Sequence, residues 1–302
     1  MANAGLPKKQ KGENKMDYQL LMDVSGDIAK SYVDQGKIKL LPMEFVINGK
    51  AYTYTDDEKG MDPVQFYQFV QAKAPMSTTQ ISPAKWIEFF EPYAKAGQSV
   101  LCLCLSSGLS SSFSSSTIAA EELKQKYPDV DILTVDSLRA TGISGLICER
   151  MIENKDTGLT IKENYDDLME FRSKTCACAY VDDLDSLKRG GRISKTVAFV
   201  GGLLGIKPLI QFLPNGTLNM WGKQRGYKQS IHKMVEYYLD RADLNNKHTV
   251  YITHANDEAY ANELAAQIKE VSPLAEIKIR LLSPIIGVHL GPSAMVLGFV
   301  GA

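Results

Sequence analysis

One stretch limits the possible folds more than any other: residues 100–120, VLCLCLSSGLSSSFSSSTIAA. Its first six residues are apolar, without charge or proline, and suit a strand buried on both faces. Ser106, Ser107 and Gly108 break that run, and Phe113, Thr117 and Ala120 take up a helical spacing. Strand, tight turn and helix follow one another, with hydroxyls crowded where the helix begins. A helix start offers unpaired N–H groups and the positive end of the peptide dipoles, so it suits an anion, a carboxylate or phosphate above all. The same serines equally suit a plain helix, one as N-cap and the others facing water.

A chain of 302 residues with 44% hydrophobic content can build a full core, and its length suggests two domains. Its 34 basic and 35 acidic residues leave a formal charge of −1, which points to neither a nucleic-acid groove nor an anionic membrane surface. No apolar run is long enough for stable membrane insertion, and no segment reads as a secretory signal. Residues 1–16, with Lys8, Lys9, Lys11 and Lys15, are polar and aperiodic and read as a disordered leader. Four of the five cysteines form the pairs Cys102/Cys104 and Cys176/Cys178 within apolar runs. Alternate strand residues share a face, yet neither pair has the spacer or histidine company of a zinc site. They read as core thiols with no metal, and the protein as reduced and cytoplasmic.

Along the chain, residues 18–23 suggest a strand ending at Asp23, Ser25 and Asp27, side chains that cap a following helix or face a ligand. Asn48-Gly49 between apolar alternations predicts a hairpin. Asp62-Pro63 opens a helix with Val64, Tyr67 and Val70 on one side. MSTTQISP reads as a polar loop, and Pro83 starts a helix carrying Trp86, Phe89, Phe90 and Tyr93. It is the second cluster of hydroxyls just before a helix. Residues 131–135 form another buried strand, followed by Asp136-Ser137 and a helix through Ile143, Leu146 and Met151. This alternation predicts a mainly parallel sheet with ligands at the carboxyl ends of its strands.

Residues 160–173 read as a polar helix linking two halves, and TCACAYV opens the second. There a short helix ends at Gly190-Gly191, beside Arg192, whose side chain can reach an anion or a surface acid. Pro214-Asn215-Gly216 marks a second hairpin. Helices carry Ile231, Met234, Val235, Tyr238 and Leu239, then Ala261, Leu264, Ala265, Ile268 and Val271. TVYITHA ends a strand at His254, and residues 277–301 read as two or three strands with His289 on a turn beside Gly291-Pro292. The expected fold class is α/β with two α/β domains. The first, residues 17–158, has a mainly parallel sheet with flanking helices; the second, residues 159–302, has a mixed sheet with helices.

GGLLGIKP lacks the spacing of a phosphate-cradling loop. GLSSS resembles a hydrolase nucleophile elbow with Ser112 in place of its second glycine, which leaves a Ser110 nucleophile with His254 or His289 as an alternative. No aromatic-basic stripe suggests nucleic acid.

Taken in order, MDVSGDI, TTQIS, LSSGLSSSFSSS, VDSLRATGISGL, LKRGGRIS with LLGIKP and KQRG, and HLGPSA resemble the motifs of the DegV family of bacterial fatty-acid-binding proteins. The resemblance spans nearly the whole chain after the leader. It implies two α/β domains around a buried long-chain acyl group, in a non-catalytic carrier with no cofactor beyond that ligand. The carrier presents the fatty acid to a separate fatty acid kinase, which makes an acyl phosphate for phospholipid synthesis. On this chain the resemblance implies Thr78, Thr79, Ser110 and Ser111 around the carboxylate, with His289 close by. Arg192 would have a structural or partner-docking role. Phe45, Phe113, Phe199, Leu203, Leu204, Ile206 and Met295 are the expected tunnel lining. The sequence departs from the family motifs at Ile81, Ser111, Ser112, Leu290 and Ser293.

Overall fold

The computed structural model describes residues 17–55, 61–182, 184–194 and 205–302. The first half runs β1 (Gln19–Asp23), a 3-10 turn (Val24–Gly26), α1 (Lys30–Asp34), β2 (Lys39–Leu41), β3 (Met43–Ile47), β4 (Lys50–Tyr54), α2 (Pro63–Gln71), β5 (Met76–Thr79) and α3 (Pro83–Lys95). It continues through β6 (Val100–Cys104), α4 (Ser112–Lys126), β7 (Ile132–Asp136), α5 (Thr141–Asp156) and α6 (Ile161–Lys174). Then come β8 (Thr175–Tyr180), α7 (Asp185–Gly190), β9 (Ile206–Phe212), β10 (Leu218–Arg225), α8 (Gly226–Leu239), β11 (His248–His254), α9 (Glu258–Val271), β12 (Ala275–Leu281), α10 (Pro284–Leu290) and β13 (Met295–Val300).

The first sheet is parallel throughout, in the order β2-β1-β6-β7. All five residues of β6 are buried. Val100, Cys102 and Cys104 pack in one cluster with Trp86, Phe90, Ala119 and Leu123 of α3 and α4. Leu101 and Leu103 face the other way, onto Ile147, Met151 and Leu168 of α5 and α6. Helices on both faces explain a strand without polar residues, since each fully buried Leu or Val side chain contributes roughly 1.5–3 kcal/mol. Cys102 and Cys104 are therefore core residues, as is Cys178 on β8, while Cys176 is half-buried; burial pushes the thiols of Cys102 and Cys178 up. Asp23, fully buried, joins the ends of β1 and β6: its carboxylate accepts from Leu105 N at 2.7 Å and from Ser25 N at 3.1 Å.

A small antiparallel sheet, β4-β3-β5, lies beside it. Asn48 and Gly49 both adopt positive φ (50° and 78°), the geometry a two-residue hairpin needs. The first half of the expected polar loop MSTTQISP is the edge strand β5, because Ser77, Thr78 and Thr79 pair with β3, while residues 80–82 form the loop into α3. Val64, expected on the buried stripe of α2, is 54% exposed; Phe66, Tyr67 and Val70 form that stripe.

The second half holds a mixed six-stranded sheet, β10-β9-β8-β13-β11-β12, in which only the β11–β12 pair is parallel. The β9–β10 hairpin forms at Pro214-Asn215-Gly216, with Gly216 at φ 78°. A Cβ on Gly108 would lie 2.5 Å from the carbonyl carbon of Gly216, so this turn is pressed onto the serine-rich loop of the first half. Ser106 Oγ donates to Gly216 O at 2.8 Å across the same contact. On α8, Leu239 is exposed and Tyr237 is buried in its place. The apolar run at 284–290 is helical, and His289 sits in the last turn of α10 and not on a turn between strands. Pro284 at the first helical position starts it, and burial of this segment on several sides outweighs the β-branched preference of Ile285, Ile286 and Val288.

Candidate functional site

A cavity lies where the two halves meet, with about 710 Å³ of interatomic space counting its open mouth. Ala179, Ile210, Phe212 and Val296 form its floor on the second sheet, and Ile285, Ile286, His289 and Leu290 of α10 one wall. Met43, Thr78, Thr79 and Gln80 come from the small sheet and the residue after it, and Leu105, Leu109 and Ser110 from the loop after β6. Among the described residues the lining includes no carboxylate, and its one charged residue is Arg192.

The polar groups gather at one pole. Pairing of β5 with β3 sets Thr78 opposite Phe45, and its hydroxyl lies 2.8 Å from His289 Nε2. The imidazole is pressed by the last turn of α7: a Cβ on Gly190 would sit 2.5 Å from His289 Nδ1. Nδ1 is buried without a hydrogen-bond partner. The Nε2–H tautomer suits this arrangement, since it leaves only a lone pair against Gly190 and lets Thr78 donate its own proton elsewhere. Burial, with Arg192 nearby as a second cause, pulls the pKa of His289 down to about 4, so the ring is neutral at physiological pH.

Ser110 is buried, and its Oγ accepts from Ser112 N at 3.2 Å. It therefore holds the first N–H of α4 and keeps its own proton for a ligand. Ser111, at the N-cap position, makes no side-chain cap bond, is exposed and lies outside the lining. Arg192 Nε donates to Leu109 O at 2.8 Å, and its NH1 donates to Gly190 O. That guanidinium ties the Ser110 loop to the turn packed on His289, and burial lowers its pKa. Thr79 and Gln80 are exposed, which puts the polar pole at the surface.

Of the apolar residues expected to line a tunnel, Phe199, Leu203 and Leu204 lie outside the described residues. Phe45 packs between Tyr52 and Phe66, with ring centroids 5.5 and 5.7 Å away. Phe113 borders a separate cleft between α4 and β7. Met295 faces the far side of the second sheet, among Tyr238, Ile252 and Leu264. Ile206 begins β9 and is also outside the lining. The residues that do form the wall, Leu105, Leu109, Leu187 and Ile285 among them, carry no pattern that separates them from ordinary core. Gly190 had a signal, as the first of two glycines ending a helix, but its contact with His289 spans 99 residues of sequence.

His254 ends β11, where its Nδ1 accepts from Asp257 N at 3.0 Å, and it is not in the lining. Among the described residues no group of three His, Cys, Asp or Glu could hold a metal ion, and no helix is long and apolar enough to cross a membrane.

The DegV family model, described as uncharacterised protein, DegV family, matches residues 18–301. The DegV domain-containing protein CPE0026 of Clostridium perfringens is 36% identical over 285 residues, covering 94% of this chain and 97% of that protein. Protein TM841 of Thermotoga maritima, whose structure is described as revealing a fatty acid binding function, has a TM-score of 0.81 at 26% identity, over 95% of this chain and 100% of that one. The fatty acid kinase (Fak) B3 protein of Streptococcus pneumoniae, solved with linoleic acid, shares the fold with a TM-score of 0.81 at 22% identity, over 94% and 99% of the two chains. With all but the ends of the sequence matched, the chain belongs to the DegV family.

Proposed function

We propose that this protein binds a long-chain fatty acid in the cavity between its halves and presents the carboxylate to a separate kinase. The observation that carries this is the makeup of the cavity. One pole offers two hydroxyls, a neutral imidazole and Arg192, while the remaining lining is mostly apolar and, among the described residues, holds no acid. Arg192 bonds to backbone carbonyls, so a ligand carboxylate brings the counter-charge the protein does not provide. Thr78 and Ser110 each keep a proton to donate to it, as worked out above. Each buried methylene contributes roughly 0.8 kcal/mol, so the tail supplies most of the affinity and the pole fixes its direction. Exposure of Thr79 and Gln80 leaves this pole open to a partner's nucleotide.

A hydrolase built on Ser110 has less support. Ser110 Oγ is bonded to Ser112 N, and the hydrogen bond of His289 goes to Thr78. No hydrogen bond joins Ser110 to His289 or His254, so the base that would activate the nucleophile is not in place.

Native mass spectrometry of the purified protein tests the carrier role, with a fatty acid adduct expected before or after addition of oleate. Thr78→Ala with Ser110→Ala should weaken that binding. The protein with ATP and fatty acid alone should form no acyl phosphate. A protein that stays empty with excess oleate, or a Ser110 that labels with a fluorophosphonate and turns over esters, would overturn the proposal.

A further inference from the structure

Ser106 stands behind the cavity wall, fully buried and outside the lining, with each of its polar groups in use. Its N–H donates to Arg139 O at 3.0 Å, and its carbonyl accepts from Leu109 N and Ser110 N, both at 3.0 Å. Its hydroxyl donates to Gly216 O at 2.8 Å and accepts from Gly108 N at 3.2 Å. One residue thus joins three segments: the loop after β6, the loop from β7 into α5, and the β9–β10 turn of the second half. All three border the cavity, through Leu109 and Ser110, through Ala140, and through Phe212 and Leu218 on either side of the turn.

This junction has no slack. A Cβ on Gly108 would lie 2.5 Å from the carbonyl carbon of Gly216, and a Cβ on Gly216 would lie 2.2 Å from Ser106 Oγ. Backbone therefore meets backbone between the two halves, bonded through the Ser106 hydroxyl. Ser110 takes its place from the same junction, because its N–H is held by Ser106 O and the carbonyl of Leu109 by Arg192 Nε. His289, on α10, belongs to the second half. The alignment of the Ser110 hydroxyl with the imidazole thus depends on how the loop after β6 sits against the β9–β10 turn.

We propose that Ser106 is a positioning residue for the bound carboxylate: through Gly216 it fixes the loop of Ser110 against the half that carries His289. This rests on the fatty-acid proposal above and goes beyond it, since Ser106 itself touches no ligand. Without its hydroxyl, Gly108 N and Gly216 O lose that partner and the contact loosens. A hydrogen bond tolerates only a few tenths of an ångström of misplacement, so Ser110 then holds the headgroup poorly.

The test is a double-mutant cycle on the full chain, with oleate displacing a fluorescent fatty acid from the wild type, Ser106→Ala, Ser110→Ala and the double variant. Ser106→Ala should weaken oleate about tenfold in the wild-type background, and less than about threefold where Ser110 is already alanine. Ser106→Cys, whose thiol keeps a weak donor, should recover part of the loss, and it replaces Ser106→Ala in the cycle if that variant fails to fold. A general loosening of the fold would weaken oleate by the same factor in both backgrounds, and that result overturns the proposal. Oleate binding that Ser106→Ala or Ser110→Ala leaves unchanged overturns it as well. Wild-type protein that does not bind oleate refutes the fatty-acid proposal and the role of Ser106 together; oleate that binds the wild type, with equal losses in both backgrounds, refutes the role of Ser106 alone.

Discussion

Gly190→Ala tests the packing that holds His289 in place. A Cβ there would lie 2.5 Å from His289 Nδ1 and 3.0 Å from Cε1, against an ordinary contact of at least 3.4 Å. The ring must therefore shift by about 1 Å, and its 2.8 Å bond to Thr78 does not survive such a shift. Alanine for glycine in a helix gains up to about 1 kcal/mol in propensity, less at a last position such as this one. Against that stand roughly 1–3 kcal/mol for overpacking and about 1 kcal/mol for the lost hydrogen bond. The balance is a net loss of roughly 1–3 kcal/mol in stability, with fatty-acid affinity falling about tenfold. Urea unfolding gives the first quantity and displacement of a fluorescent fatty acid the second. A variant as stable as the wild type, binding ligand with unchanged affinity, would show that α7 does not press on the imidazole and that the site is not built as described.

Two further predictions concern pH. The pKa of His289 is about 4 in the native protein against 6.5 ordinarily, so the unfolded chain takes up the proton first as pH falls. The stability it contributes is complete above pH 6.5 and is lost as pH drops through 4. Roughly 2 kcal/mol should be gone at pH 5, a loss that His289→Gln abolishes in urea midpoints compared at pH 7.5 and 5.0. Asp27 behaves oppositely. Its Oδ1 accepts from Ser283 N at 3.0 Å, its Oδ2 is buried without a partner, and burial raises its pKa from 3.8 to about 7. The neutral form favours folding, so stability is lost as pH rises from 3.8 through 7. Asp27→Asn keeps the acceptor, tolerates the left-handed φ of 44°, and should stabilise the protein at pH 8 by up to roughly 4 kcal/mol, with little gain at pH 4. An equal gain at both pH values would show that Asp27 is not a buried ionising group.

Local chemistry made much of the fold legible in the sequence. The uninterrupted apolar run of β6 implied a strand buried on both faces, Asn48-Gly49 and Pro214-Asn215-Gly216 implied their hairpins, and Asp62-Pro63 and Pro83 implied their helix starts. Each of these depends on residues a few positions apart, where backbone preference and periodicity act directly. The sequence also singled out Thr78, Ser110, Arg192 and His289, through motifs that resemble a known family. What brings these four to one cavity is the docking of α10 and α7 against β5 and the loop after β6. Burial made 284–290 a helix despite its β-branched residues, and strand pairing with β3 made a strand of the expected loop at 76–79. Cavity walls and core are built from the same apolar residue types, so only the packing of distant elements decides which of them face a space and which face each other.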